Sequence, residues 1–277
     1  MVNRFQRAVP NQTRLPTLYV PHGGGPCFFM EWPPPLTHAW DSLAHFLRSL
    51  TSTLVTRPRA MLVISAHWEA ETATVTTRRD PPLIFDYSGF PPETYQLRYD
   101  APGSPELAKR VRELLEGAGI ASAEDSARGL DHGVFVPFKL IEPEADVPIV
   151  ALSLVAGLDA STHLSIGEAL APLRDEGVLI VGSGMSYHNM REFLSANEAA
   201  GSTTFESWLS ESVVADVALR NERLRDWRLA PDARVAHPRE EHLIPLMVAA
   251  GAAGDDLGTR VFNDRILGAS ISGYRFG

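Results

Sequence analysis

The run AMLVISAHWE, residues 60–69, carries the pattern on which the reading of this chain turns. Ala60 to Ser65 shows no polar alternation, so it reads as a strand covered on both faces, the habit of a mostly parallel sheet with helices on either side. A histidine, His67, follows its last residue by two. The same arrangement recurs outward from this point. Leu15 to Val20 is a short β-rich run closed by Pro21, His22 and three glycines, while Pro148 to Leu154 and Val178 to Gly182 are two more buried runs, the second followed by His188. Thr72 to Thr77 reads as a further strand, and the tail ASISGYRFG closes as a last one.

Helical patterns separate these runs. Trp40, Leu43, Leu47, Leu50 and Leu54 recur at spacings of three and four, and Pro105 to Gly119 opens on proline and ends on glycine. Leu164 to Leu173, Trp208 to Leu224 and Glu240 to Ala253 are three further predicted helices. Strand alternating with helix predicts an α/β fold: one domain over residues 15–277, with a mostly parallel or mixed central sheet flanked by helices, after a disordered arm at residues 1–14. Asp80 to Pro105 is rich in proline, glycine and aromatic residues but has little regular pattern, and so long an irregular segment is usually functional.

Charge and composition exclude several classes of partner. The 25 Lys and Arg against 34 Asp and Glu leave a net charge of −9, with no basic run able to track phosphates, so nucleic acid is not expected. No stretch is long and apolar enough to span a membrane, and no apolar leader is visible, so a soluble chain without a membrane partner is expected. The one cysteine, Cys27, rules out an intramolecular disulfide and a thiolate metal cluster, and a cytoplasmic location fits.

In open α/β sheets ligands bind beyond the carboxyl ends of the strands, which puts His22, His67 and His188 at one edge. One histidine there is more often an ordinary hydrogen-bonded imidazole. Three at strand ends favour a metal site, because neutral imidazole is a common ligand of transition metals. His242 offers a fourth imidazole from the first turn of the last predicted helix, where Glu240 and Glu241 supply either a carboxylate near the metal or simply negative charge for the helix dipole. His132, between Asp131 and Gly133, reads equally as a turn residue and as a catalytic one. His38, His45, His163 and His237 read as surface or helix-face residues. Other chemistries lack their residues. PHGGGP resembles an oxyanion loop, but the nearest nucleophile elbow, GMSYH at residues 184–188, has His188 where the final glycine belongs. No dinucleotide or P-loop motif occurs, and Cys27 has only its nearness to His22 to recommend it as a nucleophile.

PHGGGP, SAHWE, YxGFPPExYxLxYxAPGSPELA, LDHGVFVPF, GSGMSYHN and HPREEHLIP, in this order from about Leu15 to Phe276, resemble the DOPA-dioxygenase type of class III extradiol ring-cleaving dioxygenases, the LigB-like family. The resemblance implies a non-haem Fe(II) enzyme that inserts both atoms of O2 into a DOPA-like or otherwise substituted catechol, opening the ring beside the two hydroxyls to a semialdehyde. It implies His22, His67 and His242 as metal ligands, with His188 as acid/base residue near enough to serve as a fourth ligand to zinc, which such proteins often hold. His132 matches a second catalytic histidine. The wider class has a glutamate where this branch has His242, so Glu241 is the alternative third ligand. Phe85, Tyr87, Phe90, Tyr95 and Tyr274 are candidates for contact with an aromatic ring, although each reads equally as core packing. A zinc-dependent hydrolase or lyase built on the same imidazoles is the competing expectation, and monomer and homodimer both stay open.

Overall fold

The computed structural model describes residues 14–193 and 199–277. The arm expected at residues 1–14 therefore lies outside the described residues except for Arg14. Among the described residues eight strands form one sheet. In chain order they are β1 (Thr17–Pro21), β2 (Ala60–Ala70), β3 (Ala73–Thr76), β4 (Ser122–Asp125), β5 (Ile149–Val155), β6 (Val178–Gly184), β7 (Gly258–Ile266) and β8 (Ala269–Phe276), arranged as β4-β3-β5-β2-β6-β1-β8-β7. The central four, β5-β2-β6-β1, are mutually parallel, while β3 meets β5 and β8 meets β1 in antiparallel sense. The sheet is mixed. Its parallel centre is apolar because helices cover both faces.

The helices are α1 (Asp41–Ser49), α2 (Pro105–Gly117), α3 (His132–Ile141), α4 (Ala160–Leu170), α5 (Ser202–Val213), α6 (Val217–Arg225), the single turn α7 (Ala233–Ala236) and α8 (Ile244–Ala253). Among the described residues no helix is long and apolar enough to cross a membrane.

Several boundaries differ from the sequence reading, each for a local reason. β2 does not end at Ser65 but runs through His67 to Ala70, and its register on β5 shifts between Ile64 and Glu69. The helix expected over Trp208 to Leu224 is two, because Asp216 caps a new helix by accepting from the Leu219 N–H at 3.0 Å. α3 escapes a periodicity search because nine of its ten residues are buried and Pro137 lies inside it. β4 and β7 are edge strands with mostly polar or exposed residues.

Backbone proximity seats α8. A Cβ on Gly182 of β6 would stand 2.3 Å from the Pro245 carbonyl oxygen, and one on Gly184 would stand 2.1 Å from that of His242. On its other side α8 crosses α4, where a Cβ on Gly251 would lie 2.1 Å from the Leu164 oxygen. Only hydrogen fits at these points, so α8 lies against β6 at backbone contact. Two buried arginines close its far end. Arg174 donates to the Ala252 and Ala253 carbonyls, and Arg220 to those of Ala250 and Gly254, satisfying acceptors that a helix C-terminus otherwise leaves unpaired.

Candidate metal centre

Four stretches converge at the carboxyl edge of the parallel strands. His22 follows β1 directly, its N–H donating to the Gly184 carbonyl at the end of β6 (3.0 Å). His67 stands in the irregular part of β2, and His188 lies four residues beyond β6. His242 sits not in the first turn of the last helix but in the turn before it, since α8 starts at Ile244 with Pro245 in its first turn. The His242 carbonyl is pinned by the Tyr19 hydroxyl (2.7 Å) and the Met185 N–H (3.1 Å).

Three ring nitrogens meet. His67 Nε2 is 3.1 Å from His22 Nε2 and 3.3 Å from His242 Nε2. Burial first, and then the neighbouring imidazoles, push His22 and His242 well below the ordinary histidine range, while burial followed by His132 lowers His67 to about 3. All three rings are thus neutral near pH 7, each presenting a lone pair. An ion with bonds of about 2.1 Å to nitrogen would hold adjacent donors roughly 3.0 Å apart at right angles and about 3.4 Å apart in a tetrahedron. The observed spacings match. The three residues fit a single transition-metal ion.

The opposite edges of these rings determine which nitrogen is free. Ser183 donates its hydroxyl to the Gly133 carbonyl, so its oxygen accepts from His22 Nδ1–H at 3.1 Å. Glu241 Oε1 accepts from His242 Nδ1–H at 2.9 Å. Asp86 Oδ2 lies 3.7 Å from His67 Nδ1, farther than a hydrogen bond reaches. The three groups come from different parts of the chain, and in His22 and His242 the hydrogen bond at Nδ1 leaves Nε2 for the cluster.

His188 and His132 flank the three. His188 stacks on His242 with ring centroids 3.4 Å apart and 17° from parallel, and its Nδ1 lies 3.2 Å from Glu241 Oε1. Glu241 therefore serves two imidazoles through one oxygen. Burial pushes the Glu241 carboxyl up, but His188, the residue's own backbone N–H and Arg239 outweigh it and hold the group below the usual range. His132 opens α3 with its ring 3.9 Å from that of His67, and its Nδ1 is 2.8 Å from Asp86 Oδ1.

Of the aromatic candidates, Tyr87 packs edge-on to His132 at 5.8 Å, with Phe85, Phe90 and Tyr95 around it. The glycine loop faces this group, since a Cβ on Gly25 would stand 2.8 Å from the Phe90 ring. Tyr274 is elsewhere: it is fully buried in β8, stacked on Tyr19 and bonded to Ser210, so it belongs to the core. His163 and His237 are also fully buried and not surface residues, each held by backbone groups. His38 and His45 are exposed, as expected. Sequence reasoning passed over Ser183 and Asp86. The only signal for Asp86 is an isolated carboxylate between Phe85 and Tyr87 in an otherwise uncharged aromatic run.

Residues 16–277 match the family model described as the catalytic LigB subunit of aromatic ring-opening dioxygenase. A 4,5-DOPA dioxygenase extradiol of Beta vulgaris is 41% identical over 261 residues, covering 90% of this chain and 95% of that protein. A dioxygenase of Hapsidospora irregularis is 39% identical over 283 residues, covering 95% and 85% respectively. The crystal structure of an uncharacterized protein from Escherichia coli K12 superposes with a TM-score of 0.76 at 28% identity, covering 95% of this chain and all of the other.

Proposed function

Since this chain belongs to the LigB family of aromatic ring-opening dioxygenases and is an extradiol ring-cleaving enzyme, we propose that its metal is Fe(II) and its substrate a DOPA-like or otherwise substituted catechol. The observation that carries this reading is the meeting of His22, His67 and His242 through Nε2, at 3.1 and 3.3 Å, with the Nδ1 of His22 held by Ser183 and that of His242 by Glu241. We assign these three as the ligands. Glu241 faces the Nδ1 edges of His242 and His188, so it acts by orienting them and not as the third ligand. When bound, Fe(II) supplies open positions for both catechol oxygens and for O2, and a path for electrons between them.

The remaining steps belong to the chain. His188, with Nδ1–H directed at Glu241, keeps Nε2 as the acceptor for a catechol proton, and the carboxylate compensates the charge the ring then carries. The same proton returns to the product oxygens as the ring opens. His132, whose Nδ1–H is taken by Asp86, offers Nε2 to a substrate hydroxyl or to oxygen. Tyr87 and its aromatic neighbours give the catechol ring a wall, and Gly25 packs closely against Phe90 and Tyr87. The single buried thiol, Cys27, suits a reducing cytoplasm as the place of action.

The test is reconstitution. Metal-free protein loaded anaerobically with Fe(II), then given DOPA or a panel of catechols in air, should consume about one O2 per catechol and form a yellow ring-opened product, while the zinc-loaded protein should not. Turnover with zinc alone and no oxygen uptake would instead establish a hydrolytic or lyase enzyme.

A further inference from the structure

We propose that Asp86 is a positioning residue, whose carboxylate fixes the tautomer of His132 and ties the aromatic segment to the histidine cluster. One oxygen, Oδ1, accepts from both the backbone N–H (3.0 Å) and the ring Nδ1–H (2.8 Å) of His132. Asp86 thereby caps α3 from a distant segment, placing a negative charge where the first N–H of that helix has no internal partner. The other oxygen faces His67 Nδ1 at 3.7 Å, so a single side chain addresses a ligand of the cluster and its neighbour together.

The tautomer matters for chemistry. A neutral imidazole donates from one nitrogen and accepts at the other, and the group that hydrogen-bonds the ring decides which. With Nδ1–H held by Asp86, His132 Nε2 carries the lone pair. Without that acceptor, the proton is free to occupy either nitrogen. Asp86 also lies between Phe85 and Tyr87, whose rings pack on Phe135 and His132, so the segment bearing the aromatic wall is tied to α3 by polar and apolar contacts at one place.

This inference rests on the ring-cleaving reading only for turnover, and the experiment separates the two. Long-range 15N NMR of the full-length, zinc-loaded protein should show His132 as the Nδ1–H tautomer, and Asp86→Ala should convert it to a mixture. Oxygen uptake by the iron-loaded variant should fall by roughly 10- to 100-fold in kcat, with a smaller change in KM, and Asp86→Asn, whose amide oxygen can still accept from Nδ1–H, should recover part of both signals. An Nε2–H tautomer in the native protein, or full turnover in Asp86→Ala, would overturn the proposal. If Asp86→Ala does not fold, the native spectrum and Asp86→Asn decide it. A correct tautomer in a native protein that takes up no oxygen would sink the dioxygenase reading and leave the positioning role standing.

Discussion

His188 and His242 lie face to face, 3.4 Å between ring centroids, above one shared oxygen of Glu241. Two imidazolium ions cannot occupy such a stack without strong repulsion, whereas one neutral ring bound to a metal and one ring exchanging a proton can. The stack therefore suits the roles proposed for them, His242 as a ligand and His188 as a base, although the two rings touch.

His188→Ala should therefore keep its metal and lose turnover by about 10²- to 10⁴-fold, the usual contribution of a general base. His22→Ala and His67→Ala should lose the metal itself. Metal content after dialysis, measured beside oxygen uptake, distinguishes these outcomes, and equal metal loss in all three would make His188 chiefly a ligand.

Glu241→Gln retains an acceptor for His242 Nδ1–H but removes the charge. Metal affinity should weaken by roughly 10- to 100-fold, as expected when a carboxylate behind a ligating histidine is lost. Competition with a chromophoric chelator measures it. Complete loss of metal would argue that Glu241 itself coordinates.

Acid should destabilise the protein well above the carboxylate range. Burial lowers His237 to about 3, and it lowers His163 too, whose Nε2 already accepts from the Val155 N–H at 3.0 Å. In the unfolded chain both titrate near the ordinary value of about 6.5, so below it the unfolded state binds more protons than the native one. The stability present above about pH 6.5 is accordingly lost as pH falls toward 3, by an amount on the order of a few kcal/mol for His237 alone. Urea midpoints taken from pH 7.5 down to pH 5 should decline, with His163→Gln flattening the slope. A flat native profile would contradict the buried neutral rings.

Gly184→Ala would put a methyl group 2.1 Å from the His242 carbonyl and should cost about 1–3 kcal/mol together with metal affinity. Gly251→Ala, on the opposite side of α8, should cost similar stability while disturbing the metal less. Thermal melts paired with metal titrations compare them.

The sequence was most legible where one rule acts alone. The apolar runs of β2, β5 and β6 announce strands covered on both faces, and the histidines that follow the runs of β1, β2 and β6 mark the ligand-binding edge. Legibility failed where two demands compete. His67 stays within β2 because the strand bulges and continues, which no local pattern encodes. α3 is buried all round, so it has no polar face to betray its period. His163 and His237 are polar residues whose burial depends on backbone partners supplied by the fold. Asp86 acts through the N-terminus of α3, dozens of residues further along the chain, and only the folded structure brings them together.

The order in which the strands pair has a consequence for biosynthesis. β1 lies between β6 and β8, so it must wait, once made, for two strands that come much later in the chain. His22 and His242 are likewise separated by most of the polypeptide, and such long-range closure makes folding slow. A nascent chain has no metal-binding site to fill. The three clustered histidines can hold an ion together only once the chain has been made through His242, and until β8 follows, the exposed edges of β1 are a target for chaperones and a hazard for aggregation.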